Sequence, residues 1–316
     1  MKGVLALLLA GVALLLTRRA IFFARPPAAP ENVKTSKGPV ELPIRYHDGS
    51  LIGAFWLVDE EKAAALLPAS LEPLVLPGLG AVVGLFMFEY RDTSIGSYGE
   101  LGLTIQAVRK NSGAGVLGYL WDMVANVMHF HEMLSIFTQD DSGLYVVTLP
   151  VTTAGAKAAG REIWGYNKYL ASTKSDFTDP KSASFELGGE LTLTLEEGML
   201  ALPTPGLPFL TYTELKGQLM RTRVLVGHTA RWGGAVTLKI KSGPTADKLK
   251  ALGITSGSAP HAVFRTDTLQ ADLPRGKPIT AQSPAPSARR TAMDSIMQMV
   301  AITCCVFVAA KRKQLL

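Results

Sequence analysis

The stretch Leu191-Thr192-Leu193-Thr194-Leu195 alternates leucine with threonine without a break. Because side chains alternate between the two faces of a strand, this pattern predicts a strand with one apolar face and one polar face, over 190–196. Similar runs rich in β-branched and aromatic residues, separated by turn residues, occur throughout the middle of the chain: 52–58, 82–90, 101–108, 145–149, 210–216, 219–226 and 235–240. They predict a β-rich fold.

Helix signals are few in this part of the sequence. Residues 59–68 begin with an acidic cap, Asp59, and stop at Pro68, and residues 245–253 have a similar cap and stop. Many strands with sparse short helices indicate a β-rich α+β domain. Its strands would close into a barrel or pack as a double sheet.

The distribution of charge points to membranes rather than to nucleic acid. The chain of 316 residues is 47% apolar and carries a net charge of +6. The basic excess lies near the two ends of the chain, where it flanks apolar segments, as in Thr17-Arg18-Arg19 and Lys311-Arg312-Lys313. Basic residues in that position are typical of membrane-associated ends, so we predict a membrane lipid partner and no nucleic-acid partner.

An N-terminal membrane anchor is predicted over residues 1–25. Residues 3–16 are uninterruptedly apolar, and two arginines follow instead of the small-x-small site at which a signal peptide is cleaved. Fourteen residues span only about 21 Å, so the helix would continue through the arginines to Phe22 and Phe23. By the positive-inside rule, the domain that follows would be cytoplasmic.

The rest of the chain divides by composition. A proline-rich linker over 26–37 precedes the main domain, 38–279, and a second linker over 280–294 leads to an apolar tail, 295–316, which ends in basic residues. Within the domain, 115–137 has the spacing of an amphipathic helix. Its His129 and His131 are two residues apart and would point in different directions on a helix, so we predict no metal site there.

One lysine stands out in the stretch Gly160-Arg-Glu-Ile-Trp-Gly-Tyr-Asn-Lys168-Tyr169. Aromatic residues surround Lys168, and an ammonium that loses hydration among apolar groups is disfavoured against the neutral amine. A neutral amine can attack a ketone and form a Schiff base. The alternative from the residues alone is a surface lysine whose stem packs on the aromatics while its head stays in water.

A second stretch, Asp92-Thr-Ser-Ile-Gly-Ser-Tyr-Gly-Glu100, combines a tight turn with the start of an apolar strand. Glu100 begins that strand, where an unpaired carboxylate would cost free energy. The two stretches together resemble motifs of the acetoacetate decarboxylase family, which are Asp-Thr-Ser…Gly…Tyr…Glu and Gly-Arg-Glu…Tyr-Pro-Lys. The resemblance covers about 38–279.

This resemblance implies an acetoacetate-decarboxylase-like β-barrel in which Lys168 is the Schiff-base nucleophile and Glu100 a carboxylate beside the substrate. It implies a small-molecule carbonyl substrate, no cofactor and no metal, and a homo-oligomer. We predict five substrate-binding residues around the pair: Phe86, Tyr98, Trp164, Tyr166 and Tyr169.

The chain also departs from the family pattern. Asn167 stands in place of the usual proline, Tyr169 in place of a second lysine, and Phe86 in place of a glutamate, while the family arginine falls at Gly49 or Ser50. The neutral amine would therefore depend on burial alone, and the pocket would favour a larger, apolar carbonyl compound. The reaction would be that of a decarboxylase or of an aldolase or dehydratase. The alternative is a non-catalytic barrel that binds a lipid or a small hydrophobic ligand.

Overall fold

A computed structural model describes residues 30–76, 78–110, 142–196, 200–204 and 208–279. The predicted membrane anchor, the predicted helix over 115–137, the second linker and the apolar tail lie outside the described residues. Within the described ranges, no helix is long and apolar enough to cross a membrane.

Strands dominate the described chain, and helices are short. Three α-helices, α1 to α3, span Glu60–Ala64, Ala154–Ala159 and Pro244–Ala251, and a single π-helical turn spans Gly160–Trp164. The strands, β1 to β18 in chain order, are Glu31–Thr35, Gly38–Leu42, Ile44–Val58, Leu71–Pro73, Val75–Leu76, Gly80–Thr93, Tyr98–Arg109, Ser142–Thr148, Thr173–Asp176, Ser182–Leu187, Leu191–Glu196, Leu200–Thr204, Pro208–Leu215, Gln218–Trp232, Ala235–Ile240, Ala262–Thr266, Gln270–Leu273 and Lys277–Pro278.

Seven strands close into a barrel. Their order is β3-β17-β14-β13-β8-β7-β6, and pairing of β6 with β3 returns to the start. All neighbours in this ring are antiparallel except β13 and β8, which run parallel. The β-rich prediction is therefore confirmed, and of its two architectures the closed barrel forms the centre.

A second, four-stranded sheet with the order β15-β11-β10-β9 accompanies the barrel. The stretch Leu191-Thr-Leu-Thr-Leu195 is its β11, with the leucines buried and the threonines partly exposed, as the alternation predicts. These leucines belong to one apolar cluster with Leu85 and Leu101 of the barrel wall. A second apolar cluster contains inward-facing barrel residues such as Phe86 and Val226. Strands β3, β6 and β7 contribute residues to both clusters.

The folded chain begins earlier than the sequence suggests. Strand β1, Glu31–Thr35, lies inside the stretch predicted as linker and pairs with β2, Gly38–Leu42, in a separate hairpin. β1 is mostly exposed, so no apolar pattern marks it in the sequence. Polar contacts with distant residues hold it instead: Glu31 pairs with Arg275 at 2.6 Å. The Ser36 amide also donates to Glu162 at 2.9 Å.

Candidate active site

The backbone before Lys168 is bent sharply. Helix α2 ends in the π-helical turn Gly160–Trp164, and Gly165 then adopts a left-handed conformation with φ of 75°. A Cβ atom at Gly165 would lie 2.2 Å from the Glu214 carbonyl oxygen, so only glycine fits this close approach. π-Helical turns are rare and often lie at functional sites. The bend places the following residues alongside β8 and β7.

Backbone hydrogen bonds fix the residues on either side of Lys168. The Leu149 amide donates to the Asn167 carbonyl at 3.0 Å, and the Val151 amide donates to the Tyr169 carbonyl at 2.9 Å. The Asn167 side chain also donates to the Val147 carbonyl at 3.0 Å. Asn167 thus anchors the position that is proline in the family motif.

The side chain of Lys168 enters the barrel and meets Glu100. Its Nζ lies 2.7 Å from Oε2 of Glu100, and the two side chains are only 5% and 8% exposed. The Tyr90 hydroxyl donates to the other carboxylate oxygen at 3.3 Å. The Nζ atom also lies 5.8 Å from the ring centroids of Tyr98 and Tyr166. The structure therefore joins the two sequence motifs in one buried ion pair.

The ion pair adds an electrostatic interaction of Lys168 that the sequence did not predict. The Lys168 side chain is buried, and the Glu100 carboxylate lies beside its amine at 2.7 Å. The expectation that burial alone acts on the amine is incomplete. The partner lies 68 positions away in the sequence, and only the closure of the barrel brings it into contact.

The pair lies in the wall of a cavity inside the barrel, with about 750 Å³ of atom-free space including its open mouth. Small-molecule sites in proteins are typically concave and mostly apolar, with a few polar groups among the lining residues. Most of the lining is apolar or aromatic, and the polar groups are the ion pair, two threonines and three tyrosines. The lining residues are Tyr46, Phe86, Phe88, Tyr90, Glu100, Gly102, Thr104, Leu144, Val146, Leu149, Tyr166, Lys168, Phe209, Thr211, Val224, Val226, Leu269, Ala271 and Leu273.

The five predicted substrate-binding residues divide into three groups. Phe86 and Tyr166 line the cavity. Tyr98 does not line it but lies behind it, where its hydroxyl shares a hydrogen bond of 2.9 Å with that of Tyr46. Trp164 and Tyr169 lie away from the cavity.

These last two aromatic residues hold the segment in place. Trp164 is fully buried, and its indole nitrogen donates to the Pro274 carbonyl at 2.8 Å. The Tyr169 hydroxyl donates to Glu190 at 2.8 Å and contacts Thr245, the second residue of α3. We therefore leave Trp164 and Tyr169 out of the proposed substrate site.

Positions 49 and 50, where the family arginine would fall, do not line the cavity. A Cβ atom at Gly49 would lie 2.8 Å from the Glu89 carbonyl oxygen, and Ser50 accepts a hydrogen bond from Arg91 at 2.7 Å. Arg91 itself pairs with Asp48. In the described chain, no group of three or more His, Cys, Asp or Glu residues could hold a metal ion.

Most of the cavity wall was not identified from the sequence. The missed residues include Tyr46, Phe88, Tyr90, Thr104 and Phe209. The sequence could have identified the lining residues of two strands, because side chains two residues apart in a strand lie on the same face. With Glu100 pointing inward, Gly102 and Thr104 of β7 follow, and with Phe86 inward, Phe88 and Tyr90 of β6 follow.

Burial of four tyrosines in or behind the cavity wall predicts a loss of stability at alkaline pH. Burial raises the pKa of Tyr166 to about 12, and it raises the pKa values of Tyr46, Tyr90 and Tyr98 above the usual range. A tyrosine of the unfolded chain ionises near pH 10. These phenols therefore stabilise the fold fully below about pH 10, and that stabilisation is lost as the pH rises toward their folded pKa values.

We expect the free energy of unfolding, measured by urea titration, to fall steadily above about pH 10. The phenolate absorbance of these tyrosines should develop together with unfolding. If all eight tyrosines of the chain ionise near pH 10 while the protein stays folded, the described burial is wrong.

Gly160 packs directly against the reactive side chain. A Cβ atom at this position would lie 2.4 Å from Cε and 2.5 Å from Cδ of Lys168. Gly160→Ala would therefore displace the amine from Glu100. A displacement of about 1 Å at a reacting group costs up to about 100-fold in rate. We expect a 10- to 100-fold slower reaction of Lys168 with a ketone, roughly, measured by borohydride trapping.

Gly155→Ala is the matched control. Gly155 lies in the helix before the π-helical turn, and no atom is within 4 Å of the position its Cβ would occupy. This variant should react at the wild-type rate. Equal rates for the two alanine variants would show that the space beside Lys168 is unimportant.

The structure is that of a β-barrel protein with a buried lysine–glutamate pair in the wall of its cavity. Comparison with known proteins identifies the family. The family model for acetoacetate decarboxylase matches residues 25–204. This is more than half of the chain, so the protein belongs to the acetoacetate decarboxylase family. Both residues of the ion pair lie inside the matched range. A comparison with curated protein sequences gives no significant match.

Solved structures share the fold at low sequence identity. The acetoacetate decarboxylase of Legionella pneumophila is 19% identical, with a TM-score of 0.56 over 81% of this chain and 92% of that chain. A second acetoacetate decarboxylase structure is 18% identical, with a TM-score of 0.54 over 75% and 89% of the two chains.

The enduracididine biosynthesis enzyme MppR is similar too. Its complex with the condensation product of pyruvate and imidazole 4-carboxaldehyde is 13% identical, with a TM-score of 0.53 over 82% of this chain and 100% of that chain. Likeness at these identities concerns the fold alone.

Proposed function

We propose that the protein is a Schiff-base-forming carbon–carbon lyase that acts on an apolar keto compound through Lys168. The observation that carries this proposal is the buried pair of Lys168 and Glu100, 2.7 Å apart in the wall of a largely apolar cavity. An amine beside a proton acceptor, in a space that admits a small organic molecule, has what Schiff-base chemistry needs. Membership of the acetoacetate decarboxylase family agrees with this chemistry.

Glu100 would manage the proton in the first step. Its carboxylate accepts a proton from the Lys168 ammonium, which leaves a neutral amine to add to the carbonyl carbon. The hydroxyl group of the resulting carbinolamine then leaves as water with the proton that Glu100 returns. The product is a cationic iminium beside an anionic carboxylate, so the charge of the site is unchanged.

Carbon–carbon cleavage follows from the iminium. The iminium accepts the electron pair of the bond that breaks and becomes an enamine. The enamine takes up a proton at carbon. Water then releases the product from Lys168. The similar solved structures bear on two kinds of reaction, decarboxylation and the condensation of two carbonyl compounds. Two of the similar structures are acetoacetate decarboxylases, and another is described as holding a condensation product of two carbonyl compounds.

The apolar lining supports an apolar substrate. Phe86, Phe88 and Phe209 contribute three aromatic rings, with Phe86 lying 6.4 Å from Phe88 and 5.7 Å from Phe209 between centroids. Burying an aliphatic chain against such surfaces is favourable by about 0.8 kcal/mol for each methylene. A small polar ketone would gain less from this wall.

A second candidate is a barrel that binds a lipid or a small hydrophobic ligand without reaction. The largely apolar lining of the cavity supports this candidate, because it suits a hydrophobic ligand whether or not a reaction follows. Both candidates use the same cavity, so they differ in covalent chemistry and not in location.

Reductive trapping separates the two candidates. The full-length protein would be incubated with nonan-2-one and cyanoborohydride and then analysed by intact mass spectrometry. The lyase proposal predicts one reduced ketone adduct for each chain. Reversible binding of nonan-2-one with no adduct, repeated with a range of ketones and aldehydes, would instead establish the non-catalytic barrel.

We also propose that the protein acts at a membrane, with the barrel on the cytoplasmic side, and that it forms a homo-oligomer. The apolar run at 3–16 with the following Arg18 and Arg19 supports the membrane proposal. Fractionation of cells that express the tagged full-length chain tests it, and recovery in the soluble fraction would contradict it.

A further inference from the structure

We infer that the cavity accepts an uncharged carbonyl compound and rejects the carboxylate of a keto acid, so that its lyase step is a retro-aldol cleavage. This inference rests on the function proposed above. Of the described residues that line the cavity, Lys168 and Glu100 alone carry a charge, and they are paired at 2.7 Å.

No other described lysine or arginine is among the residues that line the cavity. The position that corresponds to the family arginine carries Gly49 or Ser50 and lies outside the lining. The internal segments between the described ranges, 111–141, 197–199 and 205–207, contain no lysine or arginine in the sequence. The charge of the described part of the cavity wall is therefore balanced before any substrate enters.

A keto acid would upset this balance. Its carboxylate would be a third buried charge without a partner, and the Glu100 carboxylate would repel it. Formation of the iminium does not provide a partner for the substrate carboxylate. The positive charge of the iminium replaces that of the Lys168 ammonium, and Glu100 already balances it. An uncharged ketone adds no charge and buries its chain against the aromatic wall.

The carbon–carbon bond that breaks must then give its electron pair to the iminium without the release of carbon dioxide. In an uncharged β-hydroxy ketone, the hydroxyl proton passes to the Glu100 carboxylate, and the oxygen forms the carbonyl group of a departing aldehyde. The carbon–carbon bond breaks, and its electron pair converts the iminium into an enamine. Glu100 returns the proton to the enamine carbon, and water releases the ketone, so no oxidant or reductant is needed.

Tyr90 belongs to this acid–base pair as a positioning residue. Its hydroxyl donates to Oε1 of Glu100, while Lys168 occupies Oε2. The carboxylate is thus held from both sides, with the tyrosine ring in the cavity wall. This arrangement keeps Glu100 beside the nitrogen atom at which each intermediate is attached.

The test compares two substrates that differ in charge and otherwise only by one methyl group. Trapping with cyanoborohydride would be measured for 3-oxodecanoate and for its methyl ester, with the full-length protein. We expect the ester to label Lys168 at least about tenfold faster than the acid, because the acid carries an unpaired buried charge. Glu100→Gln removes the anion and should shift this preference toward the acid, whatever its effect on the absolute rate.

The reaction itself gives a second readout. We expect 4-hydroxydecan-2-one to be cleaved to acetone and heptanal, and 3-oxodecanoate to release carbon dioxide no faster than without protein. Labelling by the acid as fast as by the ester, or catalysed release of carbon dioxide, would overturn the inference and leave the proposed function intact. Absence of labelling by either compound would overturn both.

Discussion

Replacing Lys168 by methionine is expected to abolish covalent labelling by ketones and to lower the lyase rate by about 10⁴-fold or more. Loss of a catalytic nucleophile removes the covalent route and leaves only what binding and the remaining groups provide. The methionine side chain retains much of the lysine volume, so the packing beside Gly160 is kept. Activity would be measured as heptanal formation, and labelling as the mass of the trapped adduct.

Lys239→Met is the matched control for this substitution. Lys239 lies on β15, Ala235–Ile240, with an exposed side chain, and takes no part in the cavity. Labelling and rate should equal those of the wild type. If Lys168→Met keeps the wild-type rate, the reaction does not pass through this amine.

Arg265→Met is expected to lower the free energy of unfolding by about 3–5 kcal/mol, the usual cost of breaking a buried ionic network. Arg265 is 2% exposed and pairs with Asp267 at 2.9 Å. Its other guanidinium nitrogens donate to the carbonyls of Phe177, Asp179 and Ser182. Removing the guanidinium leaves these acceptors without their donor. Urea unfolding followed by tryptophan fluorescence measures the change.

An exposed arginine provides the comparison. Arg275 pairs with Glu31 at 2.6 Å, but both side chains are about half exposed. Exposed ion pairs contribute little to stability, so Arg275→Met should change the free energy of unfolding far less than Arg265→Met does. Equal losses in the two variants would show that the burial of Arg265 has no energetic effect.

The sequence predicted those parts of the fold that depend on short-range patterns. The alternation at Leu191–Thr–Leu–Thr–Leu195 predicted strand β11, because one face of that strand is buried and the other is not. The cap at Asp59 likewise predicted the start of α1, where its side chain accepts from the Lys62 amide. Such signals depend on residues that are close together in the chain.

Features that depend on distant residues were not predictable in this way. Barrel closure needs the pairing of β3 with β6, and nothing in either strand specifies its partner. β1 gives no strand signal in the sequence because its contacts, Glu31 with Arg275 among them, are polar and join residues far apart in the chain.

The candidate site shows the same limit. The motifs identified Lys168 and Glu100 individually, but not their contact or the hydroxyl of Tyr90 at the same carboxylate. Trp164 and Tyr169 were predicted at the substrate because they are neighbours of Lys168 in the chain. Their side chains point away from the cavity, toward Pro274 and Glu190 respectively. Proximity in the sequence is a poor guide where the backbone turns at a left-handed glycine such as Gly165.

The most direct test of the central claim is to identify the residue that carries a trapped ketone. The wild-type protein would be reduced with cyanoborohydride in the presence of nonan-2-one, digested, and mapped by tandem mass spectrometry. The proposed function predicts a single modified lysine, Lys168, and no modification in Lys168→Met. A label spread over the exposed lysines such as Lys239, with none on Lys168, would contradict it.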